Sequence, residues 1–227
     1  MKYSISIVSH NQIDLCYNAI KSILNHLNDF ELILTINIPE PLDSIKEIEK
    51  KLLIIKNDKP LGFGENHNNA FKKSKGDIFM IVNPDIEISL WAELTYKPNI
   101  LYSPMILNID GSAADSNRAF PTPLNLIKRK ILKLREDKLD WFAGVFLIIS
   151  RESFEKLKGF DTSYFMYLED TDLSLRFQKQ GGILKLTNEL VVIHDARRSS
   201  LKDIKFFKYH LSSLIRFYLK HPLKLIG

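Results

Sequence analysis

The sequence predicts an α/β protein, a single continuous domain followed by a basic C-terminal extension. Three observations predict it. Strand-like runs at 3–8, 31–38, 52–56 and 78–82 are separated by helical or loop-forming stretches, and strands joined through helices pair in parallel with both sheet faces covered. Asn11, Asn37 and Asp85 all fall at the ends of predicted strands, where open α/β sheets bind ligands. The chain has 227 residues, 45% hydrophobic and 26% charged, which is enough for a sizeable core without disulfide or metal staples.

Each element follows from its local pattern. YSISIV (3–8) alternates as a strand and ends at Ser9-His10-Asn11. Leu15, Ala19, Ile20, Ile23, Leu24 and Leu27 recur at helical spacing. Cys16 lies beside this stripe and reads as a packing cysteine. ELILTINI (31–38) is a second strand, broken by Pro39 and Pro41. A short charged helix (43–51) leads to the strand 52–56. A Gly-containing loop, a helix over 66–75 and the apolar strand 78–82 then reach Asn83-Pro84-Asp85. The second half is less regular. A Pro-marked turn opens a basic stretch (120–140), 142–149 (FAGVFLII) reads as a buried strand, and 169–180 as a helix with an acidic first turn. Val191–Ile193 is a last short strand ending at His194.

Composition excludes several classes. The longest run free of Asp, Glu, Lys and Arg is Pro98–Ile109, short of the roughly 18 apolar residues of a membrane span. The opening MKYSISIVSHN alternates like a strand and has neither the apolar region nor the cleavage site of a signal peptide. A lone cysteine allows no internal disulfide and fits a reducing compartment. The net charge of +5 is unevenly spread. Residues 1–117 carry 11 basic and 15 acidic side chains, −4; residues 118–227 carry 21 and 12, +9. Such polarity suits an anionic partner: nucleic acid, a lipid surface or a phosphorylated substrate. No helix-turn-helix, zinc or RNP-type motif accompanies it, which argues against nucleic acid.

Three constellations could carry chemistry. Glu169-Asp170-Thr171-Asp172 opens a helix, and acidic first turns are favoured by the helix dipole whatever the function. Its setting adds more. The aromatic-rich stretch 159–167 just upstream reads as a pocket wall, and a carboxylate desolvated beside rings has the raised pKa of a general base. At Asn83-Pro84-Asp85, proline stops the strand and leaves Asp85 at the sheet's C-terminal edge. There it is either a plain turn or, with diphosphate oxygens completing the shell, a ligand for Mg²⁺ or Mn²⁺. His194 ends a strand before Asp195, Arg197 and Arg198; the alternatives are a structural histidine with a solvated basic loop, or a diphosphate and metal corner. The loop from Gly62 to Asn69 (GFGENHNN) lacks the lysine of a P-loop and the third glycine of a dinucleotide fingerprint.

In order, these pieces resemble glycosyltransferase family 2, the inverting enzymes of GT-A fold, nearest to rhamnosyltransferase-like enzymes of bacterial surface polysaccharide assembly. The similarity spans roughly residues 3–200: SISIVSHN, LGFGENHNNAF, GDIFMIVNPDIEI, the block from Asp140 to Arg176, and the late histidine. It implies a Rossmann-like nucleotide-binding half (1–100) with a mixed central sheet, fused to an acceptor and catalytic half (101–200). It implies Asp170, beside Glu169, as the base that frees an acceptor hydroxyl. Asp85 and His194 would hold a divalent cation on the donor diphosphate, with Arg197 and Arg198 nearby. Ser9, Asn11, Asn37, Gly62, Asn68 and Asn83 would seat the nucleotide, and Trp141, Gly144, Glu169 and Arg176 would line the acceptor and sugar pocket. The second strand departs from the family's Asp-Asn ending, reading Ile36-Asn37-Ile38-Pro39, and Pro60 stands where the family often has Asn. The implied donor is dTDP-L-rhamnose, with UDP-sugars as the alternative. The implied acceptor is a saccharide or polyprenyl-diphosphate-linked saccharide of O-antigen, capsule or lipopolysaccharide. A catalytically silent nucleotide-sugar-binding protein of the same fold is the competing reading. The extension 201–227, six Lys or Arg against one Asp with apolar residues interleaved, is expected either to lie on an anionic membrane, at the cytoplasmic face, or to pack on the domain.

Overall fold

The computed structural model describes residues 3–131, 138–195 and 204–222. In chain order the elements are β1 (Tyr3–Ser9), α1 (Ile13–His26), β2 (Phe30–Ile36), 3₁₀ turns at Asp43–Ile45 and Glu49–Lys51, β3 (Leu52–Lys56), α2 (Phe63–Lys73), β4 (Ile78–Val82), β5 (Ile86–Trp91) and β6 (Ile100–Leu107). The second half continues with β7 (Asn117–Arg118), α3 (Pro123–Lys130), β8 (Trp141–Phe142), β9 (Phe146–Ser150), α4 (Arg151–Lys156), α5 (Glu169–Lys179), β10 (Ile183–His194) and α6 (Ile204–Lys220). Among the described residues, eight strands form one mixed sheet in the order β3-β2-β1-β4-β9-β6-β10-β5, and β7 and β8 form a separate ribbon. The first four strands are parallel. β9 runs antiparallel to β4 and β6, and β5 antiparallel to β10.

Strand periodicity splits the core between the two faces. Met80 and Val82 of β4 pack with Ile5, Ile7 and the α1 residues Ala19, Ile20 and Ile23. Phe79 and Ile81 point the other way, against Phe154, Leu173 and Phe177. Cys16 is fully buried in the α1 layer, and burial pushes its thiol up to about 12. A third cluster, built on Phe120, Trp141, Tyr164, Leu168, Leu175 and Phe217, ties α6 to the second half.

Four expectations are corrected. The charged helix at 43–51 is two 3₁₀ turns that bury only Ile45 and Ile48, too small an apolar face to sustain the several turns of an α-helix. The helix expected at 66–75 begins at Phe63, with Gly62 as its N-cap. The strand expected at 142–149 is split between two sheets: the Ala143 N–H continues the β7–β8 ribbon to Ser116 O, the Gly144 N–H turns to Asp170, and β9 joins the main sheet from Phe146. The short strand at 191–193 is the end of twelve-residue β10, whose register shifts between Thr187 and Val191 and so carries the polar Asn188 and Glu189.

Candidate active site

The C-terminal ends of β1, β2 and β4 open into a cleft of ≈ 230 Å³. Its floor holds Val8, Val82, Asn83 and Asp85, and its walls include Asn37, His67, Phe63, Phe165 and Met166. The start of α2 is fixed there by sterics. The Phe63 N–H donates to Phe165 O, and a Cβ on Gly62 would stand 2.6 Å from that same oxygen, so only glycine fits.

Asp85 and His194, far apart in sequence, meet across the β5–β10 ladder, where His194 pairs with Ile86. His194 Nε2 lies 3.1 Å from Asp85 Oδ1, yet that oxygen is buried and makes no aligned hydrogen bond. The Asp195 N–H donates to Asp85 O and holds the corner together. A carboxylate oxygen and an imidazole nitrogen at this separation suit a divalent cation that takes its remaining ligands from phosphate oxygens and water. The described residues contain no cluster of three or more His, Cys, Asp or Glu that would enclose such an ion by themselves.

The second corner is the N-terminus of α5. Tyr167 and Leu168 both adopt left-handed backbone (φ 71° and 66°), a conformation that costs non-glycine residues about 1–3 kcal/mol each. This turn delivers Glu169 and Asp170 beside the 143–145 turn. Asp170 Oδ2 accepts the Gly144 N–H at 2.8 Å, and Oδ1 accepts the Thr171 N–H at 2.7 Å. Glu169 is buried and its Oε2 has no partner. Burial drives the Glu169 pKa well above the ordinary carboxylate range, and repulsion from Asp170 adds to this. Burial also raises Asp170, but the Gly144 and Thr171 hydrogen bonds and the nearby Arg118 favour its charged form. The proton of this pair therefore belongs on Glu169, and Asp170 is the carboxylate that ionises.

The 143–145 turn joins the two corners. Gly144 donates to Asp170, while Val145 O accepts the Asn83 N–H at 2.9 Å, two residues from Asp85.

The other predicted residues divide by what holds them. Asn37 lines the cleft and is nearly saturated: Oδ1 accepts from the Leu61 N–H and from Asn57 Nδ2, and Nδ2 donates to Leu61 O and faces His10 Nδ1. Asn83 lines the cleft too. Ser9 Oγ accepts the Gln12 N–H, and exposed Asn11 takes the left-handed turn after β1. Asn68 sits away from the cleft, its amide clamping the backbone N–H and C=O of Phe160. Arg176 is spent on Asp172, Leu157 O and Gly159 O. Trp141 is buried, with Nε1 donating to Ala119 O. Arg197 and Arg198 lie outside the described residues.

Sequence reasoning missed His10, His67 and Arg118. His67 bonds Ser6 Oγ through Nδ1, and burial lowers its pKa to about 3, so it stays neutral. Arg118 stacks over the Trp141 ring at 5.6 Å and reaches the field of Asp170; nothing in its irregular local sequence marks it. Phe165 and Met166 fall in the aromatic stretch that reads as a pocket wall.

The architecture is the GT-A fold. Over 94% of this chain and 64% of the other it superposes on a mannosyltransferase from Pyrobaculum calidifontis, solved with GDP-Man and Mn²⁺ (TM-score 0.62, 14% identity). Over 96% of the chain and 67% of the other it superposes on S. aureus TarS 1-349 with UDP-GlcNAc (TM-score 0.62, 11% identity). Residues 4–158 match the profile of glycosyl transferase family 2, and the chain belongs to that family. It is 30% identical to the rhamnosyltransferase WbbL of Escherichia coli K12, over 69% of each chain. It is 27% identical to an N-acetylglucosaminyl-diphospho-decaprenol L-rhamnosyltransferase of Mycobacterium tuberculosis, over 62% of this chain and 54% of that protein. The chain thus spans about half the length of its mycobacterial relative.

Proposed function

We propose that the chain is an inverting glycosyltransferase of polysaccharide assembly, moving a sugar from a nucleotide-sugar donor to a lipid-linked saccharide. The observation that carries this is one turn, 143–145, whose Gly144 N–H holds Asp170 and whose Val145 O accepts the N–H of Asn83, two residues before the Asp85 that pairs with His194 in the strand-end cleft. Asp170 takes the proton from an acceptor hydroxyl. The freed oxygen forms a bond to the anomeric carbon from the face opposite the nucleotide. The bond to the diphosphate breaks with its electron pair, and configuration inverts. Glu169, kept neutral by burial, leaves a single negative charge beside the reacting hydroxyl. Asp85 and His194 would hold a divalent cation, Mg²⁺ or Mn²⁺, which when bound supplies neutralising charge for the departing diphosphate. The rhamnosyltransferase relatives favour an activated rhamnose, dTDP-L-rhamnose, over a UDP-sugar, and the decaprenol-diphosphate substrate in one relative's name favours a polyprenyl-linked acceptor.

The test is Asp170→Asn with a nucleotide-sugar panel. Transfer is expected to fall by at least about a hundredfold, the scale of a lost general base, while donor binding by calorimetry persists. Wild-type turnover by this variant sinks the reading. A wild-type chain that binds donor but neither transfers the sugar nor hydrolyses the donor supports the catalytically silent alternative.

A further inference from the structure

α6 packs on the domain, yet it is apolar on both sides. Its inner face buries Phe217 and Ser213. The Ser213 hydroxyl donates to Met166 O, and His221, just past the helix, reaches buried Asp172 at 2.8 Å. The opposite face carries Ile204, Phe207, Leu211, Ile215 and Leu219, at spacings of 3, 4, 4 and 4, each between 46% and 79% exposed. Over 17 residues this makes a continuous apolar stripe, about 25 Å long at the rise of an α-helix. Scattered exposed apolar residues are ordinary; five in one line are not.

α3 repeats the pattern. Leu124, Ile127 and Ile131, three and four apart, are 56%, 48% and 71% exposed. The segment that leads into α3 is fixed on α6, where Phe120 stacks on Phe217 and the Tyr218 hydroxyl donates to Pro121 O. This junction adjoins α5, whose first turn carries Glu169 and Asp170.

We infer that the outer stripes of α3 and α6 form one docking face for an anionic lipid surface. Charge selects this occupant. Residues 204–220 contain no acidic side chain; Arg216 and Lys220 turn onto the domain, to Ser163 O and Asp161, while Lys205 and Lys208 stand exposed on either side of Phe207, and the half of the chain from 118 onward carries +9. Lipid accepts the apolar stripe at the acyl boundary while lysines at its edge reach the phosphates. A second copy of the chain on the same stripe would bring those like charges together. The docking is read from the surface alone; that it brings the Asp170 cleft to a lipid-linked acceptor rests on the transfer reading.

The test is co-sedimentation of the full chain with vesicles of phosphatidylcholine, with and without phosphatidylglycerol. The wild type is expected to partition at least about tenfold more strongly onto the anionic vesicles. Phe207→Ser/Leu211→Ser/Ile215→Ser, and separately Leu124→Ser/Ile127→Ser, are each expected to lose about tenfold or more. Thermal unfolding checks that the variants fold; if the triple variant does not, Lys205→Glu/Lys208→Glu takes its place and is expected to lose the anionic preference. Wild-type pelleting by the α6 variant, or none by the wild type, overturns the inference. Unchanged pelleting by the α3 variant overturns the two-helix face. A dimer on gel filtration that the α6 variant splits, without vesicle binding, assigns the stripe to a second copy instead. None of these readouts involves glycosyl transfer, so they fail independently of it.

Discussion

Glu169→Gln separates the two acidic residues that open α5. Glu169 is buried, its Oε2 has no partner, and Asp170 lies beside it. Its folded pKa is therefore raised above the unfolded value of about 4.3. A raised carboxylate keeps its proton in the folded state after the unfolded chain has lost it. The stability it contributes is full below about pH 4 and declines as pH rises toward the folded pKa. Each unit of elevation corresponds to about 1.4 kcal/mol, and for a domain of this size each kcal/mol moves Tm by about 2–4 °C. Glutamine mimics the protonated acid at every pH. The variant should thus melt near the wild type at pH 4 and above it at pH 8, by about 3–6 °C for each unit of elevation. It should also retain most transfer activity, since the neutral form is the working one. Scanning fluorimetry from pH 4 to 8, with a transfer assay at neutral pH, measures both. A Tm difference that is constant or shrinks with rising pH refutes the assignment of the proton to Glu169, and loss of transfer equal to that of Asp170→Asn refutes its passive role.

Asp85→Ala is expected to raise the divalent cation concentration needed for half-maximal transfer by tenfold or more; unchanged activity in chelator removes Asp85 from the site. Gly62→Ala drives a Cβ into the Phe165 carbonyl and should weaken donor binding without unfolding the chain, as calorimetry and circular dichroism would show. Phe217→Ala empties a fully buried site between α6 and the third cluster and should cost about 3–5 kcal/mol in chemical denaturation.

The parallel half was legible because each strand announces itself twice, by alternation and by the polar or proline residue that stops it. β1, β2, β3 and β4 fall within two residues of their expected bounds. The second half was less legible because its strands pair with distant partners. β10 carries Lys185, Asn188 and Glu189, and only its bulged pairing with β6 and β5 makes it a strand. At the site, Asp85, His194 and Asp170 could be picked out because each ends or begins an element. Arg118 could not, since its place beside Trp141 depends on a two-residue ribbon.

The polar residues around α5 then fall into two groups, and their hydrogen-bond partners separate them. Asp172 is buried two residues after Asp170, the proposed base, and it is claimed from both sides: Arg176 Nε at 2.6 Å and His221 Nε2 at 2.8 Å. Arg176 goes on to Leu157 O and Gly159 O. Gly159 turns the chain with φ 66°, and Phe160 is clamped by Asn68 of α2. One continuous chain of contacts therefore runs from α2 through α5 to the end of α6. Asp172 is thus committed to two side chains of the scaffold, whereas Asp170 is held by the Gly144 and Thr171 backbone N–H groups, and Glu169 Oε2 beside it and Asp85 Oδ1 in the site are left unmatched. Asp172→Asn distinguishes the two groups. It strips charge from Arg176 and His221 and should lower stability by about 3–5 kcal/mol, the cost of breaking a buried pair. At a temperature where the variant stays folded, its transfer rate should fall far less than that of Asp170→Asn. Equal losses of rate from the two variants would move Asp172 from the scaffold into the chemistry.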